Sequence, residues 1–502
     1  MKLNRIRAYV LLVWLLLPGA AGTIFAQQSA VDVLSIPMVV ERVLEADPSI
    51  INSRRRLEEA QAQYQLTLSG TQPRVSAEIT PYQWDQRRLT TGPEGASERV
   101  RTQSVAAGIS VQQALPTSGT ISAGVSNEMR FIAGAEERLE QAPEATLSFR
   151  QPLFVNGRLI SDDVYRASLR NANIGVERAA LNNELAVNGN IQRALNLLVQ
   201  VGSLRRSRNV LEETIRVLQR QLEAAEIDRQ QGLISDNSLL SLQVTLNNRR
   251  EALFDTELAL VRAEQDLARI LGVPSLEGAE LAEDLFADRN VAASDFLGAT
   301  SASDNMELGL QRLAVEQTVR SGLLNELEER PSVSVRVRVA PLYPDSRDDP
   351  EALGSSVGDF FADGADVEAT VAVGLTIPLF TARERSYRER IDTLARLRAE
   401  TDLHDTERAV SNEMRTLMTN REFLQRRVEI LETDVEYERR RVGNERSLLA
   451  SGSTTQLRVD EVELNVLSRQ NELRQVEAEL FLNGVAILAV AGEDLAEVLG
   501  TR

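Results

Sequence analysis

The sequence predicts a mainly α-helical chain with a smaller membrane β-barrel portion, built from one unit used twice. Three observations carry that prediction. From Gly232 to Gly272 leucine recurs at seven-residue steps (Leu239, Leu246, Leu253, Leu260, Leu267), and 220 residues later the matching positions hold Val459, Val466, Leu473, Leu480 and Ile487. The bounding glycines shift alike, Gly232 to Gly452 and Gly272 to Gly492. A seam this long packs helix on helix in a left-handed supercoil, and its duplication points to a chain of two halves. The second observation is that all fifteen prolines lie outside 153–273 and 379–502, which leaves long helices uninterrupted there. The third is that a stretch of period-two alternation precedes each of these expanses.

At the N-terminus Lys2, Arg5 and Arg7 precede the apolar run Ala8 to Leu17, and small residues follow to Ala26. Residues 1–26 therefore read as a secretory signal peptide, because the apolar run falls short of the ~20 residues a spanning helix needs. Its removal would take three positive charges and move the formal net charge from −18 to −21. So acidic a chain lacks the basic footprint of a nucleic-acid binder. With no cysteine, disulfides, thiolate metal sites and a lipidated N-terminal cysteine are excluded.

The first repeat is expected over 27–272. A short helix, IPMVVERVLEA, leads in, and Asp47, Pro48 and Ser49 open a second with a capping side chain and proline in its first turn. Shifted by 258, Asp47 becomes Asn305, Ile50 becomes Leu308 and Pro73 becomes Pro331, so this helix is duplicated as well.

Strands are expected from 74 to 152: Val75, Ala77 and Ile79; Val105, Ala107, Ile109 and Val111; Ile121, Ala123 and Val125; Leu147 and Phe149, with PTSG at 116–119 as a turn. The second repeat, 305–492, has its strands within 332–377, where Val333, Val335, Val337 and Val339 alternate with Ser332, Ser334, Arg336 and Arg338. A partner strand carries Val367, Ala369, Val371, Val373, Leu375 and Ile377. The alternation extends over about nine to eleven residues, the span that crosses a bilayer when tilted. Tyr82, Trp84, Tyr343, Phe360 and Phe361 cluster at the strand ends like an interfacial girdle, and the loop 341–366 is long and acidic. A half-buried strand of a soluble sheet alternates in the same way, but these features together favour a membrane barrel. Four to six strands cannot close one, about eight being the minimum, so the barrel must be shared between chains. The bounding prolines stand 79 positions apart in the first strand region and 47 in the second, and the extra 32 fit either an added strand pair around LPTSGT or a larger surface loop.

Between Gly157 and Gly232 lie 74 residues, enough for a helix of roughly 110 Å. The chain reverses at tips near 232 and 452, where GLISD and GSTT offer caps. The returning helices cover about half of their neighbours, and the short helices 49–71 and 306–329 complete the row. Residues 273–304 form an acidic linker expected at the middle of the tube, with 493–502 as a C-terminal tail.

QPLFVNGR at 151–158 and IPLFTARE at 377–384, where strand passes into long helix, together with the GLIS and GSTT tips and their heptad helices, resemble the outer-membrane efflux and secretion channel family typified by TolC. The resemblance covers nearly the whole chain after residue 26. It implies a homotrimer forming one α/β-barrel tunnel, with the barrel in the outer membrane of a Gram-negative-type envelope and the helices crossing the periplasm. It further implies a tip that opens to a periplasmic adaptor (membrane fusion) protein and an inner-membrane transporter. On this basis Gly232, Ser235, Gly452 and Thr455 are the expected adaptor-contact residues, and Glu461 an entrance carboxylate. Where the family type carries aspartate, six residues past each tip glycine, stand Ser238 and Arg458; Asp236, Asp460 and Glu463 are the nearby substitutes.

There is no phosphate-binding glycine loop, HExxH or nucleophile elbow. The only histidine, His404, sits within TDLHDTE mid-helix, where a solvated or packed side chain is the expected role. The chain is thus expected to be no enzyme and to need no cofactor or metal: a passive exit duct for efflux or type I secretion. The alternative is a structural coiled-coil protein of the envelope, which has no need of duplicated membrane-length strands.

Overall fold

In the computed structural model, residues 33–91, 96–133, 138–155, 158–276, 278–281, 305–328, 332–341, 367–377 and 382–500 are described. The expected signal peptide, most of the linker, the loop 342–366 with Tyr343, Phe360 and Phe361, and the strand-to-helix joints at 156–157 and 378–381 lie outside them. The helices are α1 (Ile36–Ala46), α2 (Pro48–Ser69), α3 (Asp163–Gln230), α4 (Asp236–Ile270), α5 (Met306–Glu328), α6 (Ala382–Ala450), α7 (Gln456–Ala491) and α8 (Leu495–Gly500). The strands are β1 (Val33–Leu34), β2 (Arg74–Thr91), β3 (Ala96–Ala114), β4 (Thr120–Ala133), β5 (Arg138–Val155), β6 (Arg158–Leu159), β7 (Glu280–Leu281), β8 (Ser332–Pro341) and β9 (Val367–Thr376).

The duplicated helix starts are chemically alike. The Asp47 carboxylate accepts from the Ser49 and Ile50 amides at 2.7 and 3.4 Å, and Asn305 Oδ1 accepts from Glu307 and Leu308 at 2.9 and 3.1 Å. Each satisfies amides left without a partner in a first helical turn. The long helices α3 and α6 run 68 and 69 residues without a break at Gly202 or Gly443. Their returning partners α4 and α7 have 35 and 36 residues. Leu246, Leu260, Leu267, Val459 and Ile487 of the heptad seams are buried, and the other seam positions are half-buried.

Side by side, the helices make an open row: α4, α3, α7, α6 in one half and α2, α3, α5, α6 in the other. Among the described residues no helix is long and apolar enough to cross a membrane. The main apolar core lies around the middle of α3, where α1, α8 and the parallel pair β1–β7 gather on Ile191, Leu195 and Leu198. Asn188 fixes the C-terminal end there, donating to the Glu493 carbonyl at 2.9 Å and accepting from the Leu495 amide at 3.1 Å. Gly272 closes α4 beside this core at φ 64°, and a Cβ there would stand 2.5 Å from that of Ala46. Gly272→Ala is therefore expected to cost about 2–4 kcal/mol. At Gly232, where φ is 77° but no atom lies within 4 Å of a Cβ, alanine should cost only about 1–2 kcal/mol. Thermal unfolding of the two variants checks the difference.

Between α3 and α5 the contact is ionic. Arg170 grips Glu316 with both prongs, at 3.0 and 2.8 Å, and Glu177 at 2.6 Å, while Arg320 adds a 2.9 Å bond to Glu316. The Arg170 guanidinium foremost, with Arg320, holds the Glu316 carboxyl down to about 2 from its ordinary 4.5. A depressed acid contributes stability above its unfolded pKa and loses it as the pH falls toward the folded one. The protection of α5 amides, taken relative to their intrinsic exchange rates at each pH, is thus expected to fall as the pH drops from 4.5 toward 2, and Glu316→Gln should produce the same loosening at neutral pH.

The main sheet is antiparallel in the order β2-β3-β4-β5-β8-β9, with two-residue β6 on β5. The extra residues of the first strand region are a strand pair, since that region holds four long strands against two in the second. The four have 18, 19, 14 and 18 residues, longer than the nine to eleven expected from the alternation. The ladder continues past the apolar stretch, because polar residues such as Gln86 and Thr102 pair their backbones equally well.

One face of the sheet is apolar and exposed: Val75, Ile79, Ile109, Val125, Leu147, Val371, Val373 and Leu375. A bulge between Thr80 and Gln83 switches the parity of β2, which puts Trp84 opposite Gln103 and keeps the aromatic ring on the apolar face. The opposite face is polar and small, with Ser76 bonded to Ser110 at 2.8 Å and Ser122 to Ser148 at 2.6 Å.

Candidate functional site at the helical tip

At the end remote from the sheet, both hairpins turn by the same device. Gly232 and Gly452 take φ of 77° and 72°. The amides after them, Leu233 and Ser453, each reach back 2.8 Å to Asp228 and Leu448 carbonyls. A left-handed residue followed by this long reach closes a helix end and satisfies its last carbonyls. Ser235 and Thr455 then cap the returning helices, their hydroxyls accepting from the amides of Ser238 and Arg458 at 3.2 and 3.4 Å. The four expected tip residues thus build two equivalent turns, and all four are exposed.

The four expected entrance carboxylates each meet an arginine. Asp236 lies 3.3 Å from Arg229 across the first turn. Glu463 accepts from Arg446 at 2.7 and 3.0 Å across the second hairpin. Asp460 and Glu461 make the connection between hairpins: Arg220 of α3 binds Asp460, and Gln221 of α3 donates to Glu461 at 2.8 Å. Asp460 is only 7 % exposed and also accepts from Gln456 at 2.8 Å.

At the two positions where the resemblance departs, Ser238 joins the Ser235 hydroxyl at 2.9 Å. Arg458 holds Glu461 at 2.9 Å and lies 3.9 Å from Glu445. Nothing in the sequence marks Arg220 and Gln221, which sit within α3 in a run rich in Arg and Gln; only the packing of α3 on α7 distinguishes them. His404 is exposed on α6 with Nδ1 3.1 Å from Glu407, far along the chain from the tip.

The sequence profile of the family described as outer membrane efflux protein matches residues 353–493, which include the second tip. No curated protein sequence matches the chain. Among solved structures, the outer membrane protein VceC from Vibrio cholerae is 14 % identical, with a TM-score of 0.62 over 91 % of this chain and 96 % of that one. The Campylobacter jejuni CmeC outer membrane channel is 12 % identical, with a TM-score of 0.62 over 93 % and 87 %. The open Neisseria gonorrhoeae MtrE outer membrane channel is 14 % identical, with a TM-score of 0.54 over 94 % of each chain. Residues 353–493 thus resemble the outer membrane efflux protein family, and over nearly its whole length the chain carries the fold of solved outer-membrane channels.

Proposed function

We propose that the chain is the outer-membrane exit duct of a tripartite efflux or secretion system, a passive conduit made of three copies of itself. The observation that carries this reading is that one copy is an open segment of wall at both ends. Among the described residues β2 and β9 are unpaired edges of the sheet beside an apolar face, and lipid does not tolerate such edges. In the helical row, the outermost helices carry exposed apolar stripes at heptad steps, Leu240, Phe254 and Val261 on α4 and Phe423, Ile430 and Tyr437 on α6. Phe254 is 68 % and Tyr437 67 % exposed, which suits burial against a second copy.

Because each sheet has six long strands running alternately up and down, β9 of one copy meets β2 of the next in antiparallel sense. Three such sheets make an eighteen-stranded barrel, in the size range that leaves an aqueous channel. The helices extend the channel into the periplasm of a Gram-negative-type envelope. There the turns at Gly232, Ser235, Gly452 and Thr455 meet the adaptor protein, and an inner-membrane transporter supplies the energy.

In this reading the pairs of Asp460 with Arg220 and Glu461 with Gln221 clasp the hairpins in the closed state, and Asp236 and Glu463 stiffen the two turns beside them. The test is fractionation followed by reconstitution. The chain should require detergent for its release from outer membranes and should form pores in planar bilayers. Recovery with the soluble periplasm would sink the proposal.

A further inference from the structure

On the duct reading above, the polar face of the sheet lines the lumen, and its charges are arranged in tiers. Along the ladder rows, Arg150 and Arg336 share one row toward the helical end of the sheet, and Arg74 and Arg338 share the next row outward, while the rows of Ser334 and Ser332 lie between them and the helices. Glu368, Glu78, Glu144 and Glu128 occupy the rows beyond, where Arg130 neutralises Glu128 at 2.5 Å. Within the inner tier Arg150 and Arg336 are register partners on neighbouring strands. Residues placed directly opposite have Cα atoms about 4.5–5.5 Å apart, and like charges in that relation repel. Arg338 is already committed outward, to Glu144 at 2.6 Å. Among the described residues neither Arg150 nor Arg336 has a carboxylate partner, both are exposed, and apart from Arg338 and Pro152 their neighbours on that face are small: Thr120, Ser148, Ser334 and Ala372. Two exposed arginines thus stand in register on neighbouring strands, in a chain whose formal net charge is −18.

We propose that Arg150 and Arg336 form an anion-recognising collar where the helical tunnel meets the barrel, selecting solutes that bear phosphate, sulfate or carboxylate groups. The inference rests on the duct reading, which repeats the pair around the lumen. Paired planar forks suit the oxygens of a polyvalent anion, which would relieve the repulsion between them. A charged ring inside low-dielectric walls also focuses the field on passing ions.

The test uses the full chain reconstituted in planar lipid bilayers. On the unmodified assembly, inorganic pyrophosphate should reduce the current more than chloride salt of equal ionic strength. In a potassium chloride gradient, the double variant Arg150→Glu/Arg336→Glu should shift the permeability ratio toward potassium by about twofold or more. Arg150→Gln/Arg336→Gln should shift it part of the way, and Arg150→Lys/Arg336→Lys should leave the ratio near that of the unmodified pore while weakening the pyrophosphate effect. Pores that are indifferent to pyrophosphate and keep their ratio in the Gln variant would overturn the collar and leave the duct intact. If the unmodified chain forms no pore at all, the duct reading and the collar fall together.

Discussion

Val373→Arg is expected to abolish assembly in the membrane. Val373 lies in the middle of β9, opposite Val335 and on the apolar face, where it is 70 % exposed in a single chain. If that face meets lipid, an arginine near the midplane costs about 2–4 kcal/mol, and the cost recurs in every copy of the assembly. It also falls on an edge strand, which must pair with the next copy before the barrel can close. Val335→Arg on β8 should behave alike. Thr370→Arg, on the same strand but the polar face, supplies the control, because a lumen charge remains hydrated. The measurement is the yield of detergent-resistant oligomer in outer-membrane fractions. Near-normal yield from the valine variants would remove the lipid-facing assignment, whereas a comparable loss from Thr370→Arg would show that β9 tolerates no large side chain on either face.

Arg220→Ala is expected to release the tip, and its effect should exceed that of Asp460→Ala. The two partners are unequally buried: the Asp460 side chain is 8 % and that of Arg220 44 % exposed. Removing the arginine leaves a desolvated carboxylate with only Gln456 beside it, a loss of roughly 2–3 kcal/mol. Removing the aspartate leaves a guanidinium that water reaches, so the cost should be well below that. Single-channel conductance reads the difference, with Arg220→Ala giving the larger and less stable openings. Equal conductance in the two variants and the unmodified pore would mean that the α3–α7 contact does not hold the entrance closed.

Much of this architecture can be read in the chain before any coordinates, because the repeats are spelled in residues with narrow conformational uses. The glycines at 232, 272, 452 and 492 sit where φ is positive, and Asp47 and Asn305 cap helices 258 residues apart. The proline-free expanses become two helices of 68 and 69 residues. The strand pair around LPTSGT is less legible. The alternation at 105–111 and 121–125 and the PTSG turn, where Ser118 takes φ 61°, are plain, but the polar residues between Val125 and Leu147 leave open whether they add a strand pair or lengthen a loop. Strand ends are illegible for a related reason, since backbone pairing continues where apolar alternation stops.

The tip divides along the same line. Its turns and caps are local and therefore visible, whereas the clasp depends on which carboxylate the packing buries. Asp460 and Asp236 are similar in sequence terms, yet only Asp460 is enclosed, because it faces α3 across the interface between hairpins while Asp236 stands at an exposed turn.

As an exit duct, the chain would be one third of a closed tube. Electron cryomicroscopy of the assembly extracted in detergent tests it most directly. Three chains are expected, with β9 of each paired to β2 of the next in a barrel of eighteen strands and the stripe of α4 seated on that of α6 from the neighbour. A monomer whose sheet folds on itself, or an oligomer joined through other faces with β2 and β9 left open, would contradict it.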